Sequence, residues 1–155
     1  MKPTLRSFIS LILIAFCASI QAIVPQNKML RDDIRTLRTE IAGTLTPMPV
    51  LQLRGGERVE VSFDQMSHEG RRFFYRVQHC DFNWRPTEGL FPNEYIEANQ
   101  EDIWIDKGTE SQNTTTLYTH FRFNFPNAEV KPLISGNYLL TIYDDSSDKP
   151  EAVAE

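Results

Sequence analysis

His68, His79 and His120 are the side chains best suited to move a proton or hold a metal ion near neutral pH, because imidazole is the group that titrates there unperturbed. Their spacing supports neither task. Two ligands on one face need an H-x-x-x-H or a paired-cysteine spacing, and the sequence has neither, so no metal site is expected. A catalytic base needs a nucleophile or a substrate pocket beside it, and G-x-S-x-G, H-E-x-x-H and phosphate-cradling glycine loops are all missing from the sequence. Asp144, Asp145 and Asp148 with Ser146 and Ser147 form an oxygen-rich run, but it lacks the glycine and distal glutamate of an EF-hand and reads as a solvated turn. Asn113-Thr114-Thr115 matches the N-glycosylation acceptor pattern and marks a polar, exposed stretch. The expectation is therefore a protein without catalytic residues, cofactor or small-molecule substrate.

Aromatic side chains offer a different chemistry. Phe82, Trp84, Phe91, Tyr95 and Trp104 are concentrated in a region that also holds Pro86, Gly89 and Pro92. If three of them share a surface patch, burying each against a partner contributes roughly 1.5 to 3 kcal/mol, enough to anchor an interface. The competing reading is that they cap one end of the fold, and stacking of carbohydrate on Trp84 or Trp104 is a further alternative.

These residues sit between short alternating segments. In residues 58–64, Val59, Val61 and Phe63 point one way and the polar residues the other, the pattern of a half-buried strand. Residues 117–125 place Leu117, Phe121, Phe123 and Phe125 on one face, and residues 72–79 do the same with Phe73, Tyr75 and Val77, leaving Arg72, Arg76 and Gln78 for a wet face. His79 shares the parity of Phe73, Tyr75 and Val77, so it is expected in the core, hydrogen-bonded to backbone or carboxylate. Weaker strands fit residues 34–41, 49–53 and 137–144. The best helical stretch, residues 93–102, is short and acidic. Turn residues separate the strands, and six or so strands so spaced predict an all-β, immunoglobulin-like antiparallel β-sandwich. Tyr138 after Gly136-Asn137 reads as a tyrosine corner, its hydroxyl bonding back to the preceding turn. The connection of residues 84–115 exceeds ordinary loop lengths, so it must carry structure of its own or bind something.

Residues 1–22 combine Lys2 and Arg6, an apolar run at residues 8–18 and a closing Ala22, which reads as a secretory signal peptide. The run is too short for the roughly 20 residues of a membrane span. Cys17 inside it could serve as a lipidation site, although Phe16 is bulkier than lipoprotein signals prefer. Residues 23–33 read as a polar tail and residues 34–155 as one domain. The chain's net charge is −5, more negative once Lys2 and Arg6 leave with the leader, which argues against binding to nucleic acid or to anionic lipid. After cleavage Cys80 is the one remaining cysteine, so no internal disulfide is possible and the core must hold the fold.

The blocks H-C-D-x-x-W at residues 79–84, P-x-E-Y at 92–95, Y-T-H-F-R at 118–122 and S-G-N-Y at 135–138 occur in an order and spacing that resembles the first domain of the type IX secretion system plug proteins of Bacteroidetes. The resemblance runs over residues 34–145. It implies a periplasmic protein with an N-terminal immunoglobulin-like domain, partnered with an outer-membrane translocon barrel protein whose periplasmic mouth it closes when no cargo passes. An exported immunoglobulin-like carbohydrate-binding module is the alternative. Family members continue beyond the first domain, and the short, Pro150-led segment of residues 150–155 is weakly β-forming, so the sandwich is expected to lack its last strand and to leave residues 137–144 unpaired on one edge.

Overall fold

Period-two alternation builds both layers of the sandwich, as seen in the computed structural model, which describes residues 27–44, 49–145 and 149–155. The leader, Cys17, the start of the tail, and Ser146, Ser147 and Asp148 lie outside the described residues. One sheet joins β1 (Ile34–Ile41), β2 (Val59–Gln65), β7 (Thr119–Phe125) and β6 (Thr109–Glu110) in the order β1-β2-β7-β6. The other joins β10 (Glu151–Ala154), β9 (Asn137–Asp144), β3 (Phe73–Cys80) and β5 (Ile103–Trp104) in the order β10-β9-β3-β5. A third, two-stranded piece pairs β4 (Ile96–Ala98) with β8 (Val130–Pro132). Every pairing is antiparallel, and the division of strands between the two large sheets is that of an immunoglobulin-like domain.

The register between β2 and β7 sets Val59 opposite Phe125, Val61 opposite Phe123 and Phe63 opposite Phe121, so one face becomes a phenylalanine-rich wall. Against it packs the inward face of β3. Phe73 meets Phe63 and Phe121 edge-on with ring centroids 5.2 and 4.9 Å apart, and Tyr75 stacks on Phe123 at 4.3 Å. Burial pushes the Tyr75 hydroxyl well above the usual phenol range, and it accepts a hydrogen bond from Asn127 Nδ2 at 2.9 Å. The 84–115 connection supplies structure of its own, namely α1 (Pro92–Tyr95), β4, β5 and β6.

Four expectations are corrected. Leu117 does not share the inner face: β7 begins at Thr119, which takes the inward position and donates its hydroxyl to the Ser67 carbonyl at 2.7 Å, while Leu117 stays exposed in the preceding turn. Residues 49–53 form no strand, since Pro49 brings no ladder donor and the chain closes a turn through Gly55 N–H to the Gln52 carbonyl at 2.8 Å. The outer face of β3 is not simply wet. Phe74 is buried there between Tyr143, stacked at 5.2 Å, and the edge-on Trp104 at 5.4 Å, with the Arg76 guanidinium 5.0 Å from the Tyr143 ring.

The last correction concerns the end of the sandwich. Residues 151–154 do form a strand, β10, which pairs with β9 through Glu151 opposite Asp144 and Ala152 opposite Tyr143. Pro150 stands just before it, where no ladder donor is needed, and the buried Val153 and Ala154 tie it to the core, so tertiary pairing overrides weak propensity. Its far edge is taken by residues 28–30 of the expected tail: Leu30 N–H donates to the Val153 carbonyl at 2.9 Å, and Lys28 and Glu155 exchange backbone hydrogen bonds.

The same corner is locked by charge. Asp144, 3% exposed, accepts from Arg31 at 2.8 Å and from Arg71 at 3.0 Å, and both arginines also bind Asp33. The hydrogen bond from Arg31 is the main reason that the Asp33 carboxyl is held below its ordinary value. A carboxylate with a depressed folded pKa contributes stability that is present above the unfolded pKa and lost as pH falls through the folded one. Urea unfolding should therefore show stability declining below about pH 4, with the decline reduced in Asp33→Asn. Asp144→Ala, which leaves two arginines facing each other, should cost about 3 kcal/mol, at the low end for a broken buried pair because both guanidiniums keep some contact with water.

Candidate functional site

Cys80 ends β3, and the chain reverses at once. Asp81 organises the reversal: its Oδ1 accepts from Asn83 N–H at 2.7 Å and Arg85 N–H at 3.0 Å, its own N–H donates to the Arg85 carbonyl at 2.8 Å, and its carbonyl accepts from Trp84 N–H at 3.0 Å. Trp84 adopts φ +61°, a left-handed conformation that a bulky residue rarely takes and that persists here because the turn is bonded on both sides. The turn holds Phe82 86% exposed.

A second aromatic is presented in the same manner. Phe91 caps α1 by donating its N–H to Glu94 Oε2 at 2.7 Å while its carbonyl accepts from Glu94 N–H at 2.9 Å, and its ring stands 70% exposed. The helix is fixed to the end of β3 by Tyr95, whose hydroxyl donates to the Val77 carbonyl at 3.3 Å. Phe82 and Phe91 thus both project from the Cys80 end of β3.

Beneath them lies a cluster of packed rings. Tyr138, at the start of β9, donates its hydroxyl to the Ile134 carbonyl at 2.7 Å, with the Tyr95 carbonyl at 3.1 Å; this is the expected tyrosine corner. Burial raises the Tyr95 and Tyr138 hydroxyls above their ordinary values, so both stay protonated and can donate. His79 meets Tyr138 edge-on at 5.3 Å and Tyr95 at 5.8 Å. Its Nδ1 lies 2.9 Å from the Thr87 hydroxyl and its Nε2 3.4 Å from the Ser135 carbonyl, so both ring nitrogens have a partner. Gly136 is required at the next position, since a Cβ there would sit 2.1 Å from His79 Nε2. Asn137 Nδ2 closes the corner by donating to the Asp81 carbonyl at 2.8 Å.

Three sequence blocks widely separated in the chain, 79–84, 92–95 and 135–138, therefore converge on one end of the sandwich. The fourth, 118–122, lies toward the opposite end of β7, where His120 Nδ1 contacts Asp64 Oδ1 at 2.7 Å. His68 faces the Ser111 hydroxyl at 3.1 Å, but that oxygen already accepts from Tyr118 N–H and Thr114 Oγ1, so the pair ties a loop. Among the described residues no three His, Cys, Asp or Glu side chains gather to hold a metal ion, and no helix is long and apolar enough to cross a membrane.

A family model described as "Type 9 secretion system plug protein 1st domain" matches residues 34–155. The chain belongs to this family. The description assigns the domain to a plug protein of a secretion system. No curated protein matches the chain. A solved structure, described as a hypothetical protein from Parabacteroides merdae ATCC 43184, is 32% identical with a TM-score of 0.75 and covers 83% of this chain. This chain spans 32% of that protein's length, about a third.

The five aromatics singled out from the sequence are divided by the plug domain's fold. Phe82 and Phe91 share the β3 end with the half-buried Trp84. Tyr95, 7% exposed, is core, because its ring fills the space between His79 and Tyr138 and so is not available to a partner. Trp104 is 42% exposed but lies on the outer face of β3 beside Phe74, with the Arg72 guanidinium 4.4 Å from its ring centroid. Position separates them only in part: Phe82 lies in a turn, but Phe91 precedes α1 as closely as Tyr95 ends it.

Tyr138→Phe should cost about 1 to 3 kcal/mol in chemical unfolding, the cost of leaving buried carbonyls without their donor. Gly136→Ala should destabilise by a similar amount through overpacking, and His79→Ala should relieve most of that penalty in a double-mutant cycle. Additive losses would show that the His79–Gly136 approach is not the constraint.

Proposed function

We propose that this domain is a non-enzymatic docking module of a type IX secretion plug, exported by a cleaved leader and bound at the periplasmic side of the outer membrane. It closes the translocon barrel by obstruction. A pore wide enough for folded cargo leaks unless a rigid body seats at its mouth, and an acidic β-domain whose corner is bonded throughout meets that need. In this reading residues 34–155 form the first domain of a longer plug protein, and its partner is the outer-membrane translocon barrel protein.

The observation that carries the reading is the presentation of Phe82 and Phe91. Both rings are exposed, and both stand on turns whose backbone is fixed by Asp81 and Glu94, so little conformational entropy remains to be lost on binding. They stand where three of the four family blocks meet, which supports their use in docking. Trp84, half-buried in the same turn as Phe82, is the third candidate contact. The carbohydrate-binding alternative rests on Trp84 or Trp104, and the Trp104 ring already stacks with the Arg72 guanidinium on one face.

Phe82→Ala and Phe91→Ala should each weaken retention of the barrel protein in gently solubilised outer membranes, by about 2 kcal/mol or roughly 30-fold for a hot-spot residue, with thermal stability within about 0.5 kcal/mol of the parent. Tyr95→Ala should instead cost about 3 to 5 kcal/mol of stability, as large aromatic truncations in a core do. Unchanged barrel retention by the folded Phe82/Phe91 double variant would overturn the docking role.

A further inference from the structure

The side of β1, β2 and β7 that faces away from the core is polar, and its charges fall into rows across the strands. Register sets Arg38 opposite Ser62 and Ser62 opposite Arg122. One row along, Glu40 stands opposite Glu60; one row the other way, Asp64 stands between Arg35 and His120. These residues alternate with the inward Val61, Phe63, Phe121 and Phe123, so all of them share the outward side. The Asp64 row is closed on itself, with His120 Nδ1 2.7 Å from the carboxylate.

The middle row is left open. Elsewhere the arginines find carboxylates: Arg31 and Arg71 share Asp33 and Asp144, Arg72 binds Asp145 and Arg76 binds Asp102. Arg38 and Arg122 have no ion-pair or hydrogen-bond partner among the described residues, in a chain with 21 acidic residues against 16 basic ones. Arg54 and Arg85 are unpaired as well, but each lies in a loop, whereas Arg38 and Arg122 flank one residue. Strands lie about 4.8 Å apart, which puts the two arginine Cα atoms about 10 Å apart with the short Ser62 between them. A carboxylate above Ser62 is within reach of both guanidinium groups and of the serine hydroxyl, which has no partner of its own among the described residues.

The neighbouring rows limit what fits. A polyanion or an anionic bilayer would press phosphates against Glu40, Glu60 and Asp64, whereas a single carboxylate meets only the middle row. Glu40 and Glu60 face each other as like charges and favour a cation. We infer that Arg38, Ser62 and Arg122 form a carboxylate-binding site, and that its occupant is an extended segment of a partner protein. That segment places an acidic side chain on Ser62 and a basic one, two residues along, on Glu40 and Glu60. Two residues of extended chain span about 7 Å, which is the spacing of the rows. A second copy of this chain carries both charges but sets a net charge of −5 against an equal one. The site lies on the other sheet from β3, so it is separate from the turn that carries Phe82.

Nuclear magnetic resonance of the labelled protein tests this through the arginine Nε–H signals. The probe is the extended peptide acetyl-Ala-Glu-Ala-Lys-Ala-amide at millimolar concentration, compared with the same peptide carrying glutamine in place of glutamate. The glutamate peptide should shift Arg38 and Arg122 and leave Arg54 and Arg85 unmoved, and the glutamine peptide should shift none of them. Arg38→Gln and Arg122→Gln, both at exposed positions, should each weaken binding roughly fivefold with the fold intact, the upper end for an exposed ion pair, and added salt should weaken it further. No shift at Arg38 and Arg122, equal shifts at Arg54 and Arg85, or binding that survives both substitutions overturns the inference. Shifts at Arg38 and Arg122 that follow protein concentration without peptide also overturn it, since they assign the face to a second copy. Barrel retention through Phe82 is a separate readout and does not move this result.

Discussion

The Tyr138 hydroxyl, 2.7 Å from the Ile134 carbonyl, fixes how the chain enters β9, and most of the candidate site hangs on that entry. Because Tyr138 is held, Gly136 can approach the His79 ring so closely that no side chain fits between them. Because His79 is held, Thr87 and the turn that follows Cys80 have a fixed seat. Asn137 then reaches the Asp81 carbonyl, and Asp81 in turn shapes the loop that carries Phe82 and Trp84. The rigidity of an exposed phenylalanine is thus traced to a half-buried phenol on the neighbouring strand.

The two ends of the sandwich are stabilised by different physics. At the Cys80 end, neutral hydrogen bonds and packed rings satisfy carbonyls that the sheets leave over. At the Phe73 end, two arginines and two aspartates tie Asp144 of β9 to residues 31–33 and to Arg71 ahead of β3. The ion pairs of the second arrangement are screened by salt and lose their carboxylate charge in acid.

Much of the architecture was legible in the sequence because period-two alternation with turn residues between segments is what a sandwich requires. β2, β3 and β7 carry the pattern plainly and β9 more weakly, and the tyrosine corner follows from one triplet. What failed were segments whose fate is decided by partners rather than by their own residues. β10 has weak propensity and becomes a strand because β9 on one side and residues 28–30 on the other offer it backbone partners. Phe74 breaks the wet face of β3 because Trp104, distant in sequence, returns through β5 to cover it. The candidate site was half legible: the aromatic cluster was visible, but sequence density could not distinguish Tyr95, whose hydroxyl finds a carbonyl in the core, from Phe82, whose ring finds nothing. The family blocks were readable as motifs, whereas their convergence on one corner needed the fold.

The central claim is that this corner faces the translocon barrel. Site-specific photo-crosslinking in intact cells tests it most directly, with a photoreactive phenylalanine analogue placed at position 82 and, as a control at the opposite end of the sandwich, at position 117, where Leu117 is 55% exposed just before β7. The account predicts a covalent adduct with the outer-membrane barrel protein from position 82 and none from position 117. Adducts from both positions alike, or none from position 82 in cells where the domain is folded and the barrel present, would contradict it.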